Sequence, residues 1–171
     1  MIDRRFTVAA LAGLISSGIF RWFGLSQANA GEKSAAEKFE VEKTPEQWKQ
    51  QLTPEQYYIL REAGTERPYS SPLNNEKRKG TFACAGCDLP LYSSDTKFES
   101  GTGWPSFFQA LPNALIEKSD RSFMMVRTET LCRRCGGHLG HVFNDGPKPT
   151  GLRYCMNGLA LNFNPVDASP S

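Results

Sequence analysis

The sequence predicts a mainly β domain of antiparallel strands behind a short helical preface, tied by a metal. Three observations carry that expectation. Seven short runs rich in β-formers recur after Pro68, separated by Gly, Pro, Asn and Asp. Two helix starts with the same wording, Thr44-Pro45-Glu46-Gln47 and Thr53-Pro54-Glu55-Gln56, stand ahead of them. Four of the five cysteines form two matched pairs, Cys84/Cys87 and Cys132/Cys135, each with a two-residue gap. The fifth, Cys155, is left over, and an odd thiol raises the question of chemistry.

Taken in order, the chain opens on a segment that does not belong to the domain. Arg4-Arg5 precede a run without charge from Phe6 to Phe20, and Ala28-Asn29-Ala30 follows. Basic start, apolar middle and small-x-small site are expected to be a signal peptide over residues 1–30, cut after Ala30. The uncharged run of 15 residues is shorter than the ~20 that span a bilayer as a helix, so an uncleaved anchor is the lesser reading. Export to the bacterial periplasm is the expectation. The adjacent arginines suggest the twin-arginine route, although Asp3-Arg4-Arg5-Phe6-Thr7 is a loose version of that signal and general secretion stays open.

Residues 1–30 hold three of the 20 basic and one of the 18 acidic residues, which leaves 17 of each beyond them. That balance gives no basic excess for nucleic acid or for an anionic membrane surface. Residues 31–43, rich in Glu, Lys, Ala and Ser, read as a flexible, solvated leader, and no stable membrane insertion of the mature chain is expected. In each helix start Thr caps, Pro takes the first helical position, Glu suits the positive end and Gln completes a capping box. Trp48 and Leu52 fall one turn apart on the first helix; Tyr57, Leu60 and Arg61 share a face of the second, and Gly64 is placed to stop it. These aromatic residues read as core cover.

The strand runs are Thr81–Ala83, Pro90–Tyr92, Ala114–Lys118, Phe123–Leu131, Leu139–Phe143, Leu152–Met156 and Leu159–Phe163. Within this pattern Cys84-Ala85-Gly86-Cys87 and Cys132-Arg133-Arg134-Cys135 are knuckles. Each lets one turn present two thiolates, and two complete a tetrahedral site of the kind structural zinc occupies. Forty-four residues separate them, so one ion would clip two distant hairpins together. Iron, or two disulfides in an oxidising compartment, are the competing readings.

Three further stretches carry candidate chemistry. Gly101-Thr102-Gly103-Trp104-Pro105-Ser106-Phe107-Phe108 fixes a turn and offers a flat apolar wall at Trp104, which alone could equally be a core residue. Both histidines, His138 and His141, lie in Gly136-Gly137-His138-Leu139-Gly140-His141-Val142-Phe143, where the glycines suggest close backbone approach or room for a ligand. In Arg153-Tyr154-Cys155-Met156-Asn157 an extended backbone puts Arg153, Cys155 and Asn157 on one face. A cation beside a thiol favours the reactive thiolate, against the plain reading of a small buried residue.

Together these stretches resemble the B-type methionine sulfoxide reductases, which reduce methionine-R-sulfoxide. The likeness runs from Thr44 to about Phe163, some 120 residues, and includes Asn144-Asp145-Gly146-Pro147 and Pro149-Thr150-Gly151 in the family's linking loop. It implies a fold of two antiparallel sheets with a structural zinc on Cys84, Cys87, Cys132 and Cys135, and a domain over 44–163 with a tail at 164–171. It implies Cys155 as nucleophile, Trp104 against the S-methyl group with Phe143 as a second substrate contact, and His138, His141 and Asn157 at the sulfoxide oxygen. Arg153 would favour the thiolate. The substrates implied are oxidised proteins or peptides, and free methionine sulfoxide as a further case. One departure matters: where many members carry a resolving cysteine before Trp104, this chain has Thr102, which implies an external thioredoxin-like or small-thiol reductant. The rival class is an exported zinc-ribbon-like binding module without catalysis; a zinc deaminase lacks its His-x-Glu here.

Overall fold

The computed structural model describes residues 38–122 and 125–166. The expected signal peptide, leader residues 31–37 and most of the tail lie outside them.

Helix α1 spans Pro45–Gln51 and α2 Pro54–Glu62, each opened by a full capping box on Thr44 and Thr53. The two reciprocal bonds satisfy backbone donors that a helix start otherwise leaves bare. Trp48, Leu52, Ile59 and Leu60 are buried, while Tyr58 is half exposed. Helix α2 ends one residue before the expected stop: Ala63 takes the left-handed conformation at φ 52°. Gly64 serves a different need, because a Cβ there would lie 2.2 Å from the Tyr58 ring. Among the described residues no helix is long and apolar enough to cross a membrane.

Nine strands follow among the described residues: β1 Gly80–Cys84, β2 Pro90–Ser93, β3 Lys97–Phe98, β4 Ser106–Phe107, β5 Leu115–Asp120, β6 Arg127–Cys132, β7 His138–Phe143, β8 Arg153–Met156 and β9 Leu161–Pro165. They form two antiparallel sheets, ordered β2-β1-β9 and β3-β4-β8-β7-β6-β5. Some expected boundaries move. Strand β6 starts at Arg127, while Phe123 and Met124 of the expected run lie outside the described residues, and β9 starts at Leu161 because Gly158–Ala160 coil into a 3-10 turn. The short strands β3 and β4 fall where the sequence reads as turn.

The core lies where the two sheets face each other. Tyr92 of the first stacks on Phe107 of the second at 4.3 Å, and Phe82 meets Phe107 edge-on at 4.9 Å. Phe82, Leu91, Tyr92, Phe107, Leu139 and Met156 have essentially no exposure. Each large apolar side chain so buried contributes roughly 1.5–3 kcal/mol relative to exposure. The Tyr92 hydroxyl finds a partner inside the core by donating to Met156 Sδ at 3.0 Å. With Tyr154 and Met156 turned inward on β8, alternation turns Cys155 to the other face.

The described part of the leader is not a free tail. Val41 N–H donates to Arg134 O at 3.0 Å, and the Glu40 carboxylate meets Arg133 at 2.7 Å. Phe39 covers Gly136, where any Cβ would come within 2.4 Å of its ring. The packed unit therefore begins before Thr44.

Candidate active site and metal centre

The two knuckles are built alike. In the first, Asp88 N–H returns to Cys84 O at 2.8 Å with Asp88 at φ 56°; in the second, Gly136 N–H returns to Cys132 O at 2.8 Å with Gly136 at φ 66°. The left-handed residue four positions on closes each turn and aims two sulfurs one way. All four Sγ atoms lie within 4.8 Å of one another, with Cys84–Cys135 at 3.7 Å and Cys87–Cys132 at 3.5 Å. Disulfide bonds are about 2.05 Å, whereas a tetrahedron with Zn–S bonds near 2.3 Å has edges of about 3.8 Å. No disulfide joins any of the four. Hydrogen bonds from Cys132, Cys135 and Cys87, ahead of burial, push the Cys84 thiol far up. Four sulfurs this close need either shared protons or a cation, so the donor set fits a thiophilic divalent metal. Since Cys84 ends β1 and Cys132 ends β6, such an ion joins the two sheets. Arg61 supports the site by donating to Cys135 O at 3.1 Å while stacking on Trp48 at 4.7 Å.

Cys155 stands apart from that cluster, on a rung of the larger sheet. Ser106, Cys155, His141, Glu129 and Lys118 are successive cross-strand partners on β4, β8, β7, β6 and β5. Directly opposite residues share a face, so this register brings the thiol, one imidazole and one carboxylate into line. Strands β7 and β8 approach closely because residue 140 is glycine; a Cβ there would sit 2.1 Å from Cys155 O. One cavity of about 150 Å³ opens on the rung, lined by Cys155, His141, Trp104, Phe143, Asn157 and Arg127 among others.

The structure gives these residues unequal parts. His141 Nε2 lies 2.9 Å from Asp120 Oδ2. A carboxylate only accepts, so Nε2 carries the proton and Nδ1 is left for the cavity side. Burial lowers the His141 pKa, with Asp120 opposing. The Ser122 N–H, then His141, hold Asp120 well below the usual carboxylate range. Arg127 meets the same carboxylate at 2.6 Å. His138 is 4% exposed and donates from Nδ1 to Glu129 Oε1 at 2.6 Å. Its Nε2 is buried with no hydrogen-bond partner, and its ring centre is 5.5 Å from that of His141. It borders a separate pocket beside Trp48 and Arg61, not the Cys155 cavity.

Asn157 borders the cavity with its amide committed: Oδ1 accepts Glu66 N–H at 3.0 Å and Nδ2 donates to Leu139 O at 3.1 Å. It holds backbone in place, where the resemblance has it address substrate oxygen. Trp104 is set by a bond from Nε1 to Glu66 O at 3.1 Å. Glu66 itself is buried and accepts Gly158 N–H at 2.6 Å and Leu159 N–H at 3.0 Å.

Arg153 departs most from expectation. It forms a two-pronged pair with Asp145 at 2.8 and 2.9 Å and lies over the Phe143 ring at 4.4 Å. Burial pushes the Cys155 thiol up; the Thr102 hydroxyl, then Arg153, pull against it without overcoming it. The pull of Arg153 on the thiolate is present but secondary.

Asp120, Glu129, Glu66 and Asp145 are not singled out by the sequence. A signal exists for two of them. Opposite charges Asp120 and Arg127 face each other across the β5–β6 hairpin, and Glu129 meets His141 once β6 is paired with β7.

The chain is similar to known proteins over most of its described length. The chain matches the SelR domain over residues 52–165. It is 58% identical over 127 residues to the peptide methionine sulfoxide reductase MsrB of Agrobacterium fabrum, covering 74% of this chain and 94% of that one. The MsrB of Leptospira interrogans is 57% identical over 126 residues, covering 73% and 96%. The MsrB of Methanosarcina barkeri is 58% identical over 124 residues, covering 72% and 87%.

Proposed function

From the premise that the chain belongs to the SelR family of B-type methionine sulfoxide reductases, we propose that it reduces peptide-bound methionine-R-sulfoxide by attack of Cys155. Membership makes it an oxidoreductase acting on methionine sulfoxide and sets aside the non-catalytic binding module. What carries the finer reading is one observation: Cys155, His141, Trp104 and Phe143 border a single cavity. A sulfoxide needs an apolar wall for its methyl and a proton donor for its oxygen, and those side chains supply both.

Atoms and electrons balance in this step. Cys155 gives its proton to His141 Nδ1, the nitrogen left bare by the bond from Nε2 to Asp120, and its sulfur electron pair goes to the sulfoxide sulfur. The sulfoxide oxygen takes that proton from the His141 imidazolium at Nδ1 and ends on Sγ. Methionine leaves reduced by two electrons, and Cys155 is left as a sulfenic acid, oxidised by two. His138, which borders the neighbouring pocket, acts only as a positioning residue behind His141, its ring centre 5.5 Å away. An external thiol then displaces the sulfenic oxygen as water, forming a mixed disulfide, and a second thiol releases Cys155. A thioredoxin-like protein or a small thiol fits this role, because Thr102 stands 3.8 Å from Cys155 Sγ where a resolving thiol would serve. Free methionine sulfoxide is a further substrate.

Cys84, Cys87, Cys132 and Cys135 would hold zinc. The ion supplies no step of the reaction; it ties β1 to the β6–β7 turn and neutralises thiolates. We place the enzyme outside the cytosol, on the strength of residues 1–30.

The deciding experiment is turnover of the two sulfoxide epimers by the full chain, with and without Cys155. Reduction of the R epimer alone, lost in Cys155→Ser, is expected. Turnover confined to the S epimer, or retained without Cys155, overturns the reading.

A further inference from the structure

Three hydroxyls run away from Cys155 Sγ in an unbroken row. Thr102 Oγ1 lies 3.8 Å from the sulfur, Ser100 Oγ 2.8 Å from Thr102 Oγ1, and Ser106 Oγ 2.7 Å from Ser100 Oγ. Ser106 Oγ ends the row by donating to the Trp104 carbonyl at 3.1 Å. Ser106 is fully buried beside Cys155 on the neighbouring strand, and the other two are half-buried.

A hydroxyl has one proton to give, so the carbonyl at the far end sets the direction of the whole row. A carbonyl only accepts; Ser106 therefore donates to it and receives from Ser100. Ser100 in turn receives from Thr102, and Thr102 is left to accept the S–H of Cys155. Loss of that proton reverses every member. Thr102 turns its O–H to the thiolate, Ser100 turns to Thr102, and Ser106 leaves the Trp104 carbonyl for Ser100. No heavy atom needs to move.

We propose that Thr102, Ser100 and Ser106 form a reversible hydroxyl row that supplies the hydrogen bond to the Cys155 thiolate, with Thr102 as the donor in contact with the reacting sulfur. The other charged or titratable groups about the sulfur are Arg153 on its own strand, Asp145 on the loop that engages it, His141 across on β7 and Tyr92 from the first sheet. Arg153 gives two of its N–H groups to Asp145 and its pull on the sulfur is secondary to that of Thr102, and His141 Nε2–H donates to Asp120. The row is the donor that neither engagement uses up. A hydrogen bond to an anion is worth more than one to its neutral form, so the row favours the thiolate even after the bond to the carbonyl is lost.

The inference rests on Cys155 being the attacking sulfur, but its test does not need turnover. The rate of Cys155 alkylation by iodoacetamide is followed against pH in the full metal-loaded chain, with the Cys155 peptide quantified by mass. Thr102→Val keeps the shape and removes the hydroxyl; it is expected to raise the apparent pKa by about one unit, roughly a tenfold loss of alkylation rate at fixed neutral pH. Thr102→Ser restores the wild-type profile. Ser106→Ala removes the bond that holds the row in its thiol-favouring direction and is expected to move the profile the opposite way, to lower pH. A Thr102→Val profile that superimposes on wild type shows that residue 102 only packs, and overturns the proposal. A Ser106→Ala shift in the same direction as Thr102→Val shows that the three do not turn together, and overturns the row. A chain that alkylates as expected yet fails to reduce sulfoxide leaves the row standing and sinks the proposed function instead.

Discussion

The two thiol regions of this domain differ in what surrounds sulfur. At the knuckles four sulfurs crowd within 4.8 Å of one another, with backbone turns to aim them and a stacked Arg61–Trp48 pair behind. On the rung one sulfur stands alone, with hydroxyls on one side, an imidazole on the other and a cavity in front. The first arrangement would satisfy its thiolates by sharing a cation, and it borders no part of the cavity in front of Cys155. The second leaves the thiolate only partly compensated, since burial raises its pKa and Arg153, shared with Asp145, pulls against that rise without overcoming it. Reactivity here follows from incomplete satisfaction, and stability from its opposite.

The largest effect that separates the regions is Cys155→Ser. Sulfoxide reduction is expected to fall to background while metal content and thermal melting stay at wild type; elemental analysis beside an activity assay reads both. Cys84→Ser or Cys132→Ser is the reciprocal change. Each is expected to lose about one zinc per chain and the cooperative melt with it, because metal binding contributes folding free energy directly. Metal-free protein with two intact disulfides and full activity breaks the comparison at its root.

Next in size comes His141→Ala, expected to slow the chemical step by about 10²-fold or more, the usual scale for a lost proton donor. Asp120→Asn sharpens this. Asp120 raises the His141 pKa against burial, so its neutral replacement lowers that pKa further. His141 must start neutral to take the Cys155 proton, so the acid limb of kcat/KM against pH then moves to lower pH. An unmoved limb detaches His141 from the profile.

Thr102→Cys tests whether the lone sulfur is lone by sequence only. Oxidant is expected to join residues 102 and 155 in a disulfide and to withdraw Cys155 from sulfenate-trapping reagents. In the wild type, one turnover without reductant yields about one methionine per chain and a trappable sulfenic acid. An internal disulfide from Cys155 in the wild type means that a knuckle cysteine has left the metal.

The smallest effect concerns Glu66, the carboxylate beneath the site. Burial raises its pKa, with the Gly158 and Leu159 N–H groups opposing. The folded chain therefore holds this proton more tightly than the unfolded one. The stability it contributes is complete below the ordinary carboxylate pKa and is lost as pH rises through the raised value. Melting temperature of wild type minus Glu66→Gln is accordingly expected to fall from acid to neutral pH. A flat difference removes Glu66 as a titrating member.

Features set by local spacing are legible in the sequence itself. The capping boxes at Thr44 and Thr53, the two knuckles and the odd thiol each depend on residues within five positions of one another. Features set by register are not. Strands β3 and β4 have two residues each, too few for any alternation to show. Glu129 reaches the histidines only through a β6–β7 pairing whose register shifts between Thr130 and Leu131. Glu66 sits in a loop 91 residues from the asparagine it positions, and no pattern connects the two. The family resemblance placed Asn157 at substrate oxygen, but the bonds that commit its amide come from Leu139 and Glu66, which belong to no motif with it.

The order of strands in the first sheet bears on how the chain reaches this state. Strand β1 lies between β2, its neighbour in the chain, and β9, whose residues 161–165 come last among the described strands. Until that segment leaves the ribosome, β1 has a bare edge and Phe82 lacks its contact with Phe163. Cys84, at the end of β1, must meanwhile hold its place for a partner knuckle 48 residues on. Closing such long loops is slow, and an exposed edge invites pairing with other chains. Early capture of a metal by both knuckles would shorten the search by pinning β1 beside β6 before β9 arrives. Nascent chains stalled before residue 161 should thus be aggregation-prone, and more so when starved of zinc.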